Sequence, residues 1–208
     1  MRVHLNKPAI RVLGVSESFG PGDRSSVLGG VVMRKDLVVD GFAFGRTTVG
    51  GDDATSGVTA LYRRFERNDI NVVLVSGCII SKYNVLDVDG LSSRVGRPIV
   101  CLTYRETSGI RKAIIVRFPR NEAQIKLAAY ERLGAREALP LATGHTVYVR
   151  LAGLSLREAR SLVGAFTLQG SLPEPVRLAG LLARARRHGQ KRALVDNRRN
   201  RGRTAPKG

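Results

Sequence analysis

Ile10-Arg-Val-Leu-Gly-Val-Ser-Glu17 is the stretch on which the fold reading turns: an apolar, β-branched run that breaks off at polar residues. It is too short for a self-supporting helix, and the Phe19-Gly-Pro-Gly22 that follows has turn chemistry, so the run reads as a buried strand. In a sheet covered by helices on both faces, ligands meet the protein where strands end. Ser16 and Glu17 would then stand where chemistry is expected.

Outward from this strand, Ser25 to Met33 and Leu37 to Phe44 read as two further strands joined by a turn at Arg34-Lys35-Asp36, completing an antiparallel meander. Val58, Leu61, Tyr62 and Phe65 recur at helical spacing, with the helix starting near Asp52 or Asp53 as cap. Asn71 to Gly77 is uncharged apart from its flanks and predicts a central parallel strand, and Pro98 to Tyr104 a second one. Val85, Leu86, Val88 and Leu91 suggest a short helix between them. Ile110 to Phe118 fits strand by composition and helix by context. Glu122 to Leu133 reads as a helix stopped by Gly134, and Thr146 to Leu151 as a strand. Ser155 and Glu158 form a capping box for a helix from Leu156 to about Phe166. Pro173-Glu174-Pro175 opens a last helix that Gly189 is expected to end, with disorder beyond Asp196. Strands alternating with helices after a meander make an α/β pattern.

The chain has 208 residues, 43% of them hydrophobic, which allows one well-buried core or two small ones. No run approaches the roughly eighteen apolar residues of a membrane span, and the N-terminus lacks a signal-peptide core, so a cytoplasmic protein without membrane attachment is expected. Cys78 and Cys101 lie in or beside apolar runs and read as buried packing. His4, His145 and His188 lack ligand spacing, and no Gly-Lys-Ser or Gly-Lys-Thr accompanies the glycine-rich pieces. Net charge is +18, and Leu181 to Gly208 holds ten Lys or Arg against the single acid Asp196. Half of the excess therefore sits in the last 28 residues. Such a stretch is either a solvated tail or a polyanion contact, and the preponderance of arginine favours phosphate. Arg184, Arg186, Arg187, Lys191, Arg192, Arg198 and Arg199 are the candidate nucleic-acid contacts.

In order along the chain, Ile10 to Val15, Val49 to Thr55, Val72 to Gly77, Tyr83 to Asp87, Gly96 to Val100, Ala152 to Ser155 and Pro173 to Ala179 resemble the archaeal domain-of-unknown-function family ninety-nine, grouped with endonuclease V-like proteins. The resemblance spans about residues 10 to 190 and implies an RNase H-like (endonuclease V-like) mixed sheet: an antiparallel meander followed by parallel strands, with helices on both faces. It divides the chain into a domain over residues 1–190 and a basic, disordered tail over 191–208. Nucleases of this fold hold a divalent ion through carboxylates at the end of the first strand, near the first helix and at the end of the central strand, because a hard cation takes oxygen ligands and must offset charge on attacking and leaving oxygens. Where the family runs into Asp-Asp and Asp-Gly, this chain has Ser16-Glu17 and Ser76-Gly77. Glu17, Asp52 and Asp53 remain as catalytic candidates, with Glu17 and Asp53 as metal ligands; Asp23 and Asp87 are more remote, and a cap role competes for Asp52 and Asp53. Pro173-Glu174-Pro175 with Arg177 is a helix start or a ligand edge.

The expectation is a nucleic-acid-binding protein on an endonuclease V-like scaffold, without normal metal-dependent nuclease activity and without a cofactor. The alternative is an endonuclease with rearranged carboxylates that uses Mg²⁺ or Mn²⁺ on RNA or DNA. A place beside protein partners in a ribonucleoprotein or repair complex is a third.

Overall fold

Strand β1 (Arg11–Ser18) pairs on one side with β2 (Ser25–Arg34), antiparallel, and on the other with β4 (Val72–Ser76), parallel. The computed structural model describes the backbone of residues 10–106 and 109–203, and side chains within that span as far as residue 190. β3 (Val39–Thr48) pairs with β2 and closes the antiparallel meander. Beyond β4 lies β7 (Ile99–Thr103), also parallel, then β9 (Thr146–Ala152) and β8 (Glu137–Pro140), both antiparallel to their neighbours. Among the described residues these seven strands form one sheet in the order β3-β2-β1-β4-β7-β9-β8, and β5 (Ile79–Ile80) pairs with β6 (Asn84–Val85) in a separate hairpin.

The period of two along a strand divides the interior into two cores. Leu13, Val15, Val73, Val75 and Ile99 face one, beneath α1 (Ala54–Arg63) and α2 (Val88–Val95). Val12, Val72, Leu74, Val100 and Leu102 face the other, with Leu162 of α5 (Leu156–Ala165) and Val176 of α6 (Glu174–Arg203). That is why β4 and β7 are apolar on consecutive residues. α3 (Arg111–Arg117) and α4 (Arg120–Arg132) form a hairpin on the α1 side, where Lys126 reaches the loop before α1.

The central strands, the meander, the Ser155–Glu158 capping box and the stop at Gly134, whose φ is +65°, stand as expected. Four points differ. β1 runs on to Ser18, so Ser16 and Glu17 lie inside the strand and not past its end. The helix expected from Val85 starts at Val88, because Asp87 takes an extended backbone and its side chain accepts from Gly90 N–H at 3.0 Å. Ile110 to Phe118 is helical as α3. α6 passes through Gly189, so that glycine does not end it and the backbone stays helical to Arg203 rather than irregular. The side chains of Lys191, Arg192, Arg198 and Arg199, and all of residues 204–208, lie outside the described residues.

No helix among the described residues is long and apolar enough to cross a membrane.

Candidate active site and nucleic-acid surface

The parallel register of β1 and β4 ends at Val15 beside Val75, which brings Ser16 and Ser76 next to each other on the following rung. Both share the parity of Val12 and Val72 and so face α6. There the helix comes unusually close: a methyl group added at Gly180 would lie 3.2 Å from Ser16 Oγ and 3.6 Å from Arg184 Nη1. Tyr104, one residue past β7, is half-buried beside Ser76, its hydroxyl enclosed without a well-formed hydrogen bond, and burial pushes its pKa up. Ser76, Cys78, Tyr104, Tyr130, Arg136 and Arg150 line a cleft of about 340 Å³ at these strand tips. Cys78 and Cys101 are both buried, as their apolar flanks imply. Contact with Cys101, and then the positive charge of Arg150, draws the Cys78 thiol pKa down against the effect of burial.

Glu17 points to the opposite face. Its Oε2 accepts from Ser81 Oγ (2.6 Å), Ser26 Oγ (3.0 Å) and the Ser81 N–H. Thr47 Oγ1 lies 2.6 Å from Ser81 Oγ, and since that hydroxyl gives its proton to Glu17, Thr47 is the donor. The anchored turn is strained: Ser81, Lys82 and Tyr83 all take left-handed backbone, with φ of 47°, 58° and 62°. Burial pushes the Glu17 pKa up, and the serine bonds offset only part of that. A carboxyl group raised in the folded state loses stability as pH climbs from its ordinary 4.5 through the folded value. Glu17→Gln keeps an acceptor for all three donors and removes the buried charge. It is therefore expected to match or exceed the wild type at pH 7, with a flatter pH profile above 4.5. Glu17→Ala strands the Ser81 N–H and should cost about 2–3 kcal/mol. Urea unfolding across pH separates the two; equal losses for both would show that the charge itself is needed.

The remaining candidate acids are each committed elsewhere. Asp53 precedes α1 but makes no side-chain cap bond to it; it accepts from Thr48 N–H (3.0 Å), Thr48 Oγ1 (2.9 Å) and Asn84 Nδ2 (2.6 Å). Burial raises its pKa, but these bonds outweigh it and the net shift is downward. Asp52 pairs with Lys126 Nζ at 2.7 Å, a lysine only 2% exposed, and so fastens α4 instead of capping α1. Asp87 caps α2. Asp23 accepts from Gly20 N–H and pairs with Arg187 at 2.9 Å. Glu17 and Asp53 do meet the same turn, one at Ser81 and the other at Asn84, but through protein donors. Among the described residues no three His, Cys, Asp or Glu side chains gather closely enough to hold a metal ion. The strand-tip donors are two neutral hydroxyls near an arginine, which does not fit a hard divalent cation.

Of the basic candidates, Arg184 is exposed near Gly180, and Arg186 sits 5.3 Å above the Phe44 ring. Arg187 is largely buried against Asp23, where it ties α6 to the β1–β2 loop rather than facing outward. Glu174 of Pro173-Glu174-Pro175 pairs with Arg177 at 2.7 Å in the first turn of α6. Sequence reasoning missed Ser81, Asn84, Lys126 and Tyr104. A single polar residue such as Asn84 between apolar neighbours was the one visible signal.

A family described as endonuclease dU matches residues 8–187. The UPF0215 protein of Pyrobaculum calidifontis is 31% identical over 172 residues, covering 82% of this chain and 93% of the relative. A crystal structure of an Archaeoglobus fulgidus protein superposes with a TM-score of 0.71 at 25% identity, over 85% of this chain and 97% of that one. Endonuclease V of Ciona intestinalis, solved with DNA containing inosine, superposes with a TM-score of 0.58 at 12% identity, over 87% of each chain. The fold is thus of endonuclease V type, RNase H-like, as the motif order implies.

Proposed function

The chain belongs to the endonuclease dU family, and from that premise we propose that it binds nucleic acid on an endonuclease V-like scaffold without the usual divalent-metal cleavage. The observation that carries this is the placing of Ser16 and Ser76 on neighbouring strands, one rung past the Val15–Val75 pair, with Ser16 under Gly180 and close to Arg184, while Glu17, Asp52, Asp53 and Asp87 are held by other protein groups. Two hydroxyls cannot neutralise an ion as two carboxylates do, whereas a cation beside them suits a phosphate. The net charge of +18 supports a polyanionic partner. The Ciona enzyme was solved on inosine-containing DNA, and the family description names deoxyuridine, so deaminated DNA is the first ligand to try. Two buried free cysteines suit a reducing cytoplasm.

The family description also favours a second reading, cleavage with Glu17 and Asp53 as rearranged ligands. Labelled DNA and RNA strands with and without deoxyuridine distinguish the two. Binding that weakens steeply with salt, with no turnover in Mg²⁺ or Mn²⁺, is the expected result. Manganese-dependent strand scission that disappears in Asp53→Ala would establish the nuclease instead.

A further inference from the structure

A second basic surface lies at the edge of the sheet, away from the strand tips. β3 is the edge strand, and where α1 and α6 flank it a groove of about 530 Å³ opens, lined by Phe44, Arg46, Gly57, Arg64, Arg186 and Gln190 among others. No carboxylate lines it. Arg46, Arg64 and Arg186 are all exposed, and none figures in an ion pair among the described residues. Three guanidinium groups facing one groove repel each other, an arrangement that a polyanion relieves.

We propose that this groove holds the phosphodiester backbone of a nucleic-acid strand whose neighbouring nucleotides lie beside Ser16 and Ser76. The inference rests on the nucleic-acid reading above and adds the contact surface. Its geometry favours phosphate over base. The Phe44 ring has Arg186 over one face, so it orients a guanidinium and does not offer a bare stacking platform. The forked N–H donors of arginine match phosphate oxygens. Ser16 pairs with Gly29 and Gly29 with Phe44, so the groove is two strands, or about 10 Å, from Ser16. Phe44 has the parity that faces the α6 side, because its neighbour Gly45 packs against Leu61 of α1. Arg184 near Ser16 and Arg186 over Phe44 are close in sequence on the same helix, and link the two regions.

The test is Arg46→Ala with Arg64→Ala in the full chain, measured by fluorescence anisotropy on labelled single-stranded DNA and RNA over a range of salt. A matched control, Arg157→Ala with Arg160→Ala, removes two exposed charges from α5. Both pairs should keep the wild-type thermal transition. The groove pair should weaken binding about tenfold or more at low salt and flatten the plot of log K against log salt by about 1.4, two contacts at ~0.7 each, whatever the base sequence. The control pair should shift affinity only slightly. Equal losses in both pairs would mean a diffuse charge effect and would overturn the groove while leaving nucleic-acid binding intact. A wild-type chain that binds no strand at low salt overturns both.

Discussion

Gly14→Ala is expected to lose about 3 kcal/mol of stability, and Gly14→Val to leave little folded protein. A methyl group at Gly14 would fall 2.2 Å from the Pro175 carbonyl carbon and 2.4 Å from its oxygen, both backbone atoms that cannot swing aside. The same close seat recurs at Gly29, where an added carbon would stand 2.3 Å from the Ala179 oxygen. At Gly14 and Gly29 α6 therefore rests on bare backbone of β1 and β2, and a side chain at either position lifts the helix off Val12 and Leu74. Lifting it opens the core that Val176 and Phe166 complete. Urea unfolding measures the loss. Gly164→Ala in α5, with nothing within 4 Å of the added carbon, should instead gain up to about 1 kcal/mol. A Gly14→Ala protein as stable as the wild type would mean that α6 does not rest on the β1 backbone.

The second large effect concerns the serines. Ser16→Asp combined with Ser76→Asp puts two carboxylates on neighbouring strands about 4.8 Å apart. Without metal they repel and the melting temperature falls. With Mn²⁺ at a hundred times its dissociation constant, binding should return about 2.7 kcal/mol, or roughly 5–10 °C in a chain of this length. The wild type should show no such rise. Calorimetry with and without Mn²⁺ is sufficient, and strand scission by the double variant would be a further gain. A wild-type transition that rises equally with Mn²⁺ would show that acids such as Glu17 and Asp53 already bind the ion, and the serines would lose their significance.

The sheet was legible because its central strands are buried on both faces and carry apolar runs that need no context. Val72 to Val75 and Ile99 to Leu102 have no other plausible home. Polar strand residues hid what local pattern cannot carry. Ser16, Glu17 and Ser18 look like the end of a strand, yet they pair with Gly29, Leu28 and Val27, because ladder bonds come from the backbone whatever the side chain. Glu17 was ambiguous because its partner Ser81 is 64 residues away. β8 gives little signal, because Glu137-Ala-Leu-Pro140 is four residues long and ends in a proline, which is tolerated only because β8 lies at an edge of the sheet. Gly189 does not stop α6, because one glycine costs a helix about 1 kcal/mol and the Gln, Lys, Arg, Ala and Leu after it are good helix formers. Of the candidate site, the departures at Ser16 and Ser76 were visible as letters. Their adjacency, and the seat of Ser16 under Gly180, required the fold.

The seating of α6 on β1 also sets the order in which the molecule can be made. β1 is roofed by α6, so a chain emerging from the ribosome has β1 in hand long before the element that shelters Val12 and Gly14 exists. Closure must wait until α6 has been made, and the contacts that achieve it span some 160 residues, as between Gly14 and Pro175. Such distant pairing is slow, and until it happens an apolar flank of the nascent sheet is open to chaperones and to neighbouring chains.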